Sequence, residues 1–414
     1  MLRRLISTFD PGLPRSVWIL QLGVLINFFG NGLVAPFLVI YLHFGRGLPV
    51  GVAAAAISFG GFTAVTSGLL AGALADRLGP RNILVAAMTC NAAAYLLYTQ
   101  VTAPWQAFAV GLLVGVGTGS YGPTSQSLIA ALVPAENRQA AFAQIRVTSV
   151  VGLGAGGSIG GLIASAGLAG YLTLLRLDTL TFLSFACVVL LLPNLKPAAS
   201  STQRGNYAAV LRDRAFVRLM AVNLAMVSFG IAPMLVLLPA FAKSQAHVGE
   251  AAIGAIYAAN TLTIVAAQLP LTRLTSMRNR MAVLRAAAII WIGCWAVCFG
   301  ASAWLHGTPA ALVLGAGAVT YAAGECLYSA IMLPSAASLA PDHLRGRYLG
   351  AVGVAWQAGF LIGPSLGGIV LGVAPLALPV LCAIGCLAAA AGTVAVNRVL
   401  SPEQRVVAVR VRAA

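Results

Sequence analysis

The chain has 414 residues, 60% of them hydrophobic and only 8% charged, with a mean hydropathy of +0.92. A water-soluble domain of this length has no way to cover its surface with so few polar groups, so a soluble enzyme or binding module is excluded and a polytopic membrane protein is implied. The formal net charge of +16 rests on 25 Lys and Arg against nine acids, so the placement of the basic residues decides what that charge means.

Mostly apolar runs long enough to cross about 30 Å of hydrocarbon as helices recur twelve times, at 16–44, 49–75, 82–101, 104–132, 139–166, 169–193, 215–243, 248–272, 281–303, 308–339, 346–372 and 375–398. A transmembrane barrel would show short alternating segments instead. The expected fold class is an all-α membrane protein with 12 transmembrane helices. Residues 194–214 form the one substantial polar break, which divides the chain into an N-terminal six-helix bundle (1–193), a cytoplasmic linker (194–214), a C-terminal six-helix bundle (215–398) and a cytoplasmic basic tail (399–414). Neither linker nor tail is long enough for a folded domain.

The N-terminal Met-Leu-Arg-Arg and the apolar run after it are read as the first span, because the run is too long for a secretory signal and lacks a small-residue cleavage pattern. With that terminus inside, every Lys and Arg falls in an inner segment except Arg46 and Lys243 in outer loops and Arg146 and Arg176 within spans. The basic charge therefore reports topology, a multi-pass protein of the cell membrane with both termini cytoplasmic. The positives form no stripe, so no nucleic-acid partner is expected. The lipid bilayer is the partner that composition demands, and a monomer is the expected functional unit. Seven cysteines all lie within spans as small apolar residues, and the pairs Cys294/Cys298 and Cys382/Cys386 lack His or carboxylate neighbours, so no metal site is expected. Four scattered His give no catalytic constellation, and no Gly-x-x-x-x-Gly-Lys loop is present, so neither an enzyme nor ATP drive is expected.

The first span carries Asn27 and Asn31, four residues apart. The loop after the second reads Gly72-Ala-Leu-Ala-Asp76-Arg77-Leu-Gly79-Pro-Arg81. That pattern, with twelve spans in two halves, resembles the inner-loop signature of the major facilitator superfamily, and the resemblance covers essentially the whole chain. It implies the major facilitator fold, two pseudo-symmetric six-helix bundles, and a secondary transporter. Within it Gly72 is expected to let a neighbouring helix approach, Gly79 to make the turn, and Asp76, with Arg77 and Arg81, to serve as a conformational switch on the cytoplasmic side. The matching loop after the eighth span, Thr272 to Arg278, keeps the bases and lacks the acid.

In that family helices 1, 4, 7 and 10 line the central cavity. Candidate cavity groups here are Asn27 and Asn31, then Thr118, Tyr121 and Ser125 on the fourth span and Asn223 on the seventh. Each is also able to serve only as an interhelical hydrogen bond. The fifth span places Gly152, Gly156, Gly160 and Gly161 at a spacing that returns, 207 residues later, as Gly359, Gly363, Gly367 and Gly368 on the eleventh. Leu132, Pro134 and Arg138 meet Leu339, Pro341 and Arg345 at the same shift, so the chain reads as one unit written twice. These faces of small residues permit close packing, expected at the contact between the halves. The eleventh-span copy, with Pro364, resembles the superfamily's antiporter-associated motif. In the family that motif stands on helix 5, where this chain has Gly157 in place of the Pro.

Three further charges lie within spans: Arg146, able to snorkel to the inner face or to pair with an acid, and Arg176 with Asp178, read as a locally compensated pair at the outer end of the sixth span. Glu325 is the outstanding acid. It stands near the middle of the tenth span with Tyr321, Tyr328 and Met332 on its helical face, and a carboxyl there is costly unless used. It is the candidate proton-coupling or cation-recognition residue, against a reading as a structural carboxyl. The expected function is proton-coupled efflux of a small hydrophobic or cationic compound by alternating access, with no cofactor and with the transmembrane proton gradient as the energy source. The competing readings are an uptake symporter or uniporter of a small metabolite on the same fold, and a non-transporting membrane receptor or assembly protein.

Overall fold

The computed structural model describes residues 14–133, 137–193, 207–275, 277–341 and 344–406. The N-terminal Arg pair, linker residues 194–206 and tail residues 407–414 lie outside the described residues. The helices are α1 (Arg15–Val34, resuming as Leu38–Ile40 and a π-turn Tyr41–Gly45), α2 (Val50–Leu78), α3 (Pro80–Tyr98), α4 (Pro104–Leu132), α5 (Arg138–Ala164) and α6 (Leu168–Leu190). A short helix Tyr207–Arg212 within the expected linker precedes α7, which runs as Arg214–Met226, a π-turn Val227–Ile231, Ala232–Val236 and Leu238–Ala246. Then come α8 (Glu250–Leu274), α9 (Arg280–Trp304), α10 (Thr308–Leu339), α11 (Arg345–Val373) and α12 (Ala377–Val399).

The helices begin and end for local reasons. Pro80 and Pro104 occupy first turns, where a missing N–H costs nothing. Asp213 caps α7 by accepting from the backbone N–H of Ala215 at 3.0 Å and of Phe216 at 3.1 Å. Gly79, at φ +86°, makes the turn between α2 and α3 as its motif requires. Pro36 breaks α1, and Pro233 and Pro239 divide the outer part of α7.

Among the described residues ten helices are long and apolar enough to cross a membrane by length and composition. The two outside that set are α3, diluted by Arg81, Asn82 and Asn91, and α4, diluted by Gly, Ser, Thr and Pro between Gly115 and Ser127. Both belong to the bundle all the same.

The chain forms two compact units, Met1–Leu48 with Ala55–Thr202, and Pro49–Ala54 with Gln203–Ala414. In the first, α1 packs against α5 and α6, and α3 against α4 and α6. In the second, α7 packs against α11 and α12, and α9 against α10 and α12. The pairings are the same list moved on by six helices, which is the duplication read at the level of packing.

The small-residue faces of α5 and α11 correct one expectation. Gly152, Gly156, Gly160, Gly359, Gly363 and Gly367 meet helices of their own half, whereas a Cβ on Gly368 would meet Ala54 at the start of α2. A Cβ on Gly152 would stand 2.9 Å from the Leu25 carbonyl oxygen and one on Gly160 2.6 Å from that of Leu33, both on α1, with Gly156 equally tight against Phe29. Gly359 and Gly363 meet Val227 and Ser228, the first residues of the π-turn in α7, and Gly367 meets Leu237 and Leu378. Backbone-to-backbone contact at this range is open only to glycine, and the spacing of four keeps it on one stripe of the helix.

Candidate functional site

In the second unit the polar groups gather on α10. Tyr321, Tyr328 and Met332 are buried, and Glu325 stands in the middle of their stripe but is only half-buried. The exposed side chains Leu312 and Val319 lie on the far side of the helix. The space that Glu325 meets is therefore on the interior side of α10, with the tyrosines. The Tyr328 hydroxyl donates to Asn223 Oδ1 of α7 at 2.6 Å, and both residues are buried. Asn223 Nδ2 is buried with no partner among the described residues.

Aromatic rings surround this stripe. Trp291 of α9 stacks on Tyr321 with ring centroids 5.3 Å apart and lies 5.9 Å from the Tyr328 ring. Tyr328 continues to Trp356 of α11 at 6.3 Å, and Trp356 to Phe360 at 5.6 Å. Trp291 Nε1 donates to the Tyr321 carbonyl at 3.2 Å and Trp295 Nε1 to the Phe229 carbonyl at 3.0 Å, inside the π-turn. The sequence reading named the α10 members and missed the tryptophans. The available signal was Trp356 and Phe360 at a spacing of four on the helix that carries the Gly-Pro motif.

In the first unit Asn27 is buried with Oδ1 unpartnered among the described residues, while Asn31 is half-buried. On α4, Thr118 is exposed although exposed Leu112 and Val116 lie roughly opposite, so its exposure is on the interior side. Tyr121 packs edge-on to Phe28 of α1 at 6.0 Å and near Phe185 of α6 at 6.3 Å. The Ser125 hydroxyl donates to the Gly122 carbonyl at 3.0 Å within the same helix. Gln21 Nε2 of α1 donates to Gln144 Oε1 of α5 at 2.7 Å, a polar link that the sequence reading did not single out.

The motif loop divides by residue. Asp76 stands in the last turn of α2, with its side chain outside the described residues, and Arg77 is exposed. Arg81 donates to the Leu190 carbonyl at the C-terminal end of α6, where a cation satisfies an orphan carbonyl and the helix dipole together. A Cβ on Gly72 would meet nothing within 4 Å among the described residues.

Two of the intramembrane charges depart from expectation. Arg176 and Asp178 are no pair: two residues apart on a helix means about 200° of rotation, and Arg176 is exposed while Asp178 is wholly buried. Nor is Asp178 at the outer end of its helix, since it falls halfway along Leu168–Leu190. Arg146 is exposed on α5 and has no ion-pair partner among the described residues.

The Major Facilitator Superfamily profile matches residues 20–323 and 220–412. The Na(+), Li(+), K(+)/H(+) antiporter of Planococcus maritimus is 23% identical over 369 residues, 80% of this chain and 84% of that protein. The multidrug resistance protein MdtH of Aeromonas hydrophila is 24% identical over 340 residues, 80% and 82% of the two chains. In architecture the chain is similar to a POT family transporter solved in complex with 5-aminolevulinic acid, with a TM-score of 0.77 at 14% identity, covering 95% of this chain and 97% of that one. With two six-helix units, duplicated pairings and a match running almost end to end, the chain belongs to the Major Facilitator Superfamily and is a multi-pass membrane transporter, not an enzyme.

Proposed function

We propose that the protein exports a small hydrophobic or cationic compound from the cell in exchange for protons, working in the cell membrane with both termini cytoplasmic. The observation that carries this reading is Glu325, an acid on the interior side of α10 between Tyr321 and Tyr328, whose ring leads on to Trp356 and Phe360. An aromatic wall takes apolar and cationic ligands through ring faces. One carboxylate within it serves a cation or a proton in turn, so entry of the proton releases the cargo. A multidrug resistance protein and a proton-linked antiporter among the relatives agree with this direction.

Asn27, Asn31, Thr118 and Tyr121 are the candidate substrate contacts of the first unit, and Asn223 with Tyr328 those of the second. The seams at Gly156 and Gly363 let α5 and α11 move with α1 and α7 as rigid pairs. Asp76, Arg77 and Gly72 act as a conformational switch on the cytoplasmic side. The test is transport in inverted vesicles with an imposed proton gradient and a panel of lipophilic cations and antibiotics. Uptake into the vesicles that needs the gradient supports export, whereas gradient-independent flux, or flux in the opposite direction alone, overturns it.

A further inference from the structure

Asp178 is a second acid within the membrane, and its surroundings differ from those of Glu325. Its residue is 0% exposed, at the middle of α6. The hydroxyl of Thr181 lies 2.8 Å from the Asp178 main-chain carbonyl and also 2.8 Å from its Oδ1. Asp178 Oδ2 is buried without a partner among the described residues. From α1, Gly30 closes over both side chains so tightly that a Cβ there would collide with Asp178 Oδ1 and Thr181 Oγ1.

One hydroxyl has one proton to give. A threonine within a helix places it on the carbonyl three or four residues back, and here that carbonyl is Asp178's own. Shared between that carbonyl and Oδ1, the single Thr181 proton gives an ionised carboxylate at most one donor, whereas a protonated carboxyl is also able to donate to the hydroxyl oxygen. The bare Oδ2 fits the same assignment, since it becomes the carbonyl oxygen of a neutral acid. An ionised carboxylate would instead lie in the bundle with at most one donor and no cation, an arrangement costing several kcal/mol.

Among the described residues, the elements packed against this part of α6 offer no compensating charge. The stripe of α1 that faces it runs Gly23, Asn27, Gly30. From α3 comes Tyr95, a neutral phenol whose ring lies 5.1 Å from that of Phe182. The stripe of α5 that faces the bundle is glycine, and its Arg146 is exposed. Tyr41, with Arg46 on its hydroxyl, packs at Tyr171, two turns away along α6.

We propose that Asp178 is a proton-binding site of the first unit, loaded while α1 is seated at Gly30 and unloaded when that seam opens. Unloading is a plain acid–base step: the carboxyl O–H bond breaks, the proton passes to water entering beside Gly30, and the carboxylate left behind is hydrated. The site is separate from Glu325 and does not depend on the export reading, because proton occupancy is measured without a substrate.

The experiment is infrared difference spectroscopy on the purified full-length protein in liposomes, reading the carbonyl stretch of protonated carboxyls at neutral pH. A band is expected in the wild type, lost in Asp178→Asn and retained in Glu325→Gln. Thr181→Val keeps the fold-neutral size of the side chain and removes the acceptor, so it is expected to shift that band. Gly30→Leu, which drives α1 off the carboxyl, is expected to abolish it. A wild type with no such band, or a band unmoved by both Asp178→Asn and Thr181→Val, overturns the assignment. A band that survives Gly30→Leu unchanged overturns the link to the seam.

Discussion

Tyr328 of α10 donates a 2.6 Å hydrogen bond to Asn223 of α7, and the Asn223 amide nitrogen beside it is buried with no partner among the described residues. The bond ties the helix that carries Glu325 to the helix whose π-turn is gripped by Gly359 and Gly363. A polar pair of this kind fixes the rotation of α10, and with it the side to which Glu325 is presented.

Tyr328→Phe removes the donor and keeps the ring against Trp291 and Trp356. Interhelical hydrogen bonds in membranes contribute about 0.6–2 kcal/mol, so a modest fall in thermal stability in detergent is expected. Asn223→Leu in addition is expected to restore part of it, because the unpartnered amide goes too. An unchanged Tm for the single variant would show that the bond contributes nothing.

The glycines separate by their surroundings. Gly156→Leu forces a side chain into the Phe29 backbone and Gly363→Leu into Ser228, each expected to destabilise its unit by about 1–3 kcal/mol or more through overpacking. Gly72→Ala meets nothing within 4 Å among the described residues and is expected to leave thermal stability unchanged while slowing transport through the switch. Thermal unfolding of the three variants, with initial transport rates, distinguishes a packing glycine from a switching one.

Within the motif loop Arg81 and Asp76 are expected to part company. Arg81→Ala leaves the Leu190 carbonyl at the end of α6 without its cation, a loss of about 0.3–1 kcal/mol by the helix-dipole scale. Asp76→Asn is expected to lower the transport rate with little change in Tm. Hydrogen exchange at the C-terminal turn of α6 reads the first effect independently of transport.

Trp356→Ala opens the aromatic wall between Tyr328 and Phe360. A ring face contributes about 0.5–2 kcal/mol to holding a cation, so apparent affinity for lipophilic cations is expected to fall from a few-fold to about thirtyfold. Uncharged substrates are expected to lose less. Equal losses for both classes, measured by substrate-quenched fluorescence, would argue for shape alone.

Much of this was legible before the fold. Hydrophobic length placed the helices, because a membrane leaves few alternatives to them, and a shift of 207 residues exposed the duplication that the helix pairings repeat. What stayed hidden needed partners. Asn223 and Tyr328 were each visible as polar residues on cavity helices, yet 105 residues of chain separate them and no periodicity joins them. The glycines of α5 announce close packing without saying against what, and the partner proved to be α1 of the same unit. Asp178 misled through its neighbour: nearness to Arg176 in sequence suggested compensation, although a step of two residues points them to opposite faces. That rotation was already present in the chain.

Coupling of proton entry to export through Glu325, as proposed, is open to direct measurement. Wild type and Glu325→Gln, reconstituted in the same liposomes, are compared for gradient-driven transport and for substrate exchange without a gradient. Glu325→Gln is expected to lose gradient-driven transport and its pH dependence while retaining exchange. Gradient-driven transport at the wild-type rate, with the wild-type pH profile, would contradict it.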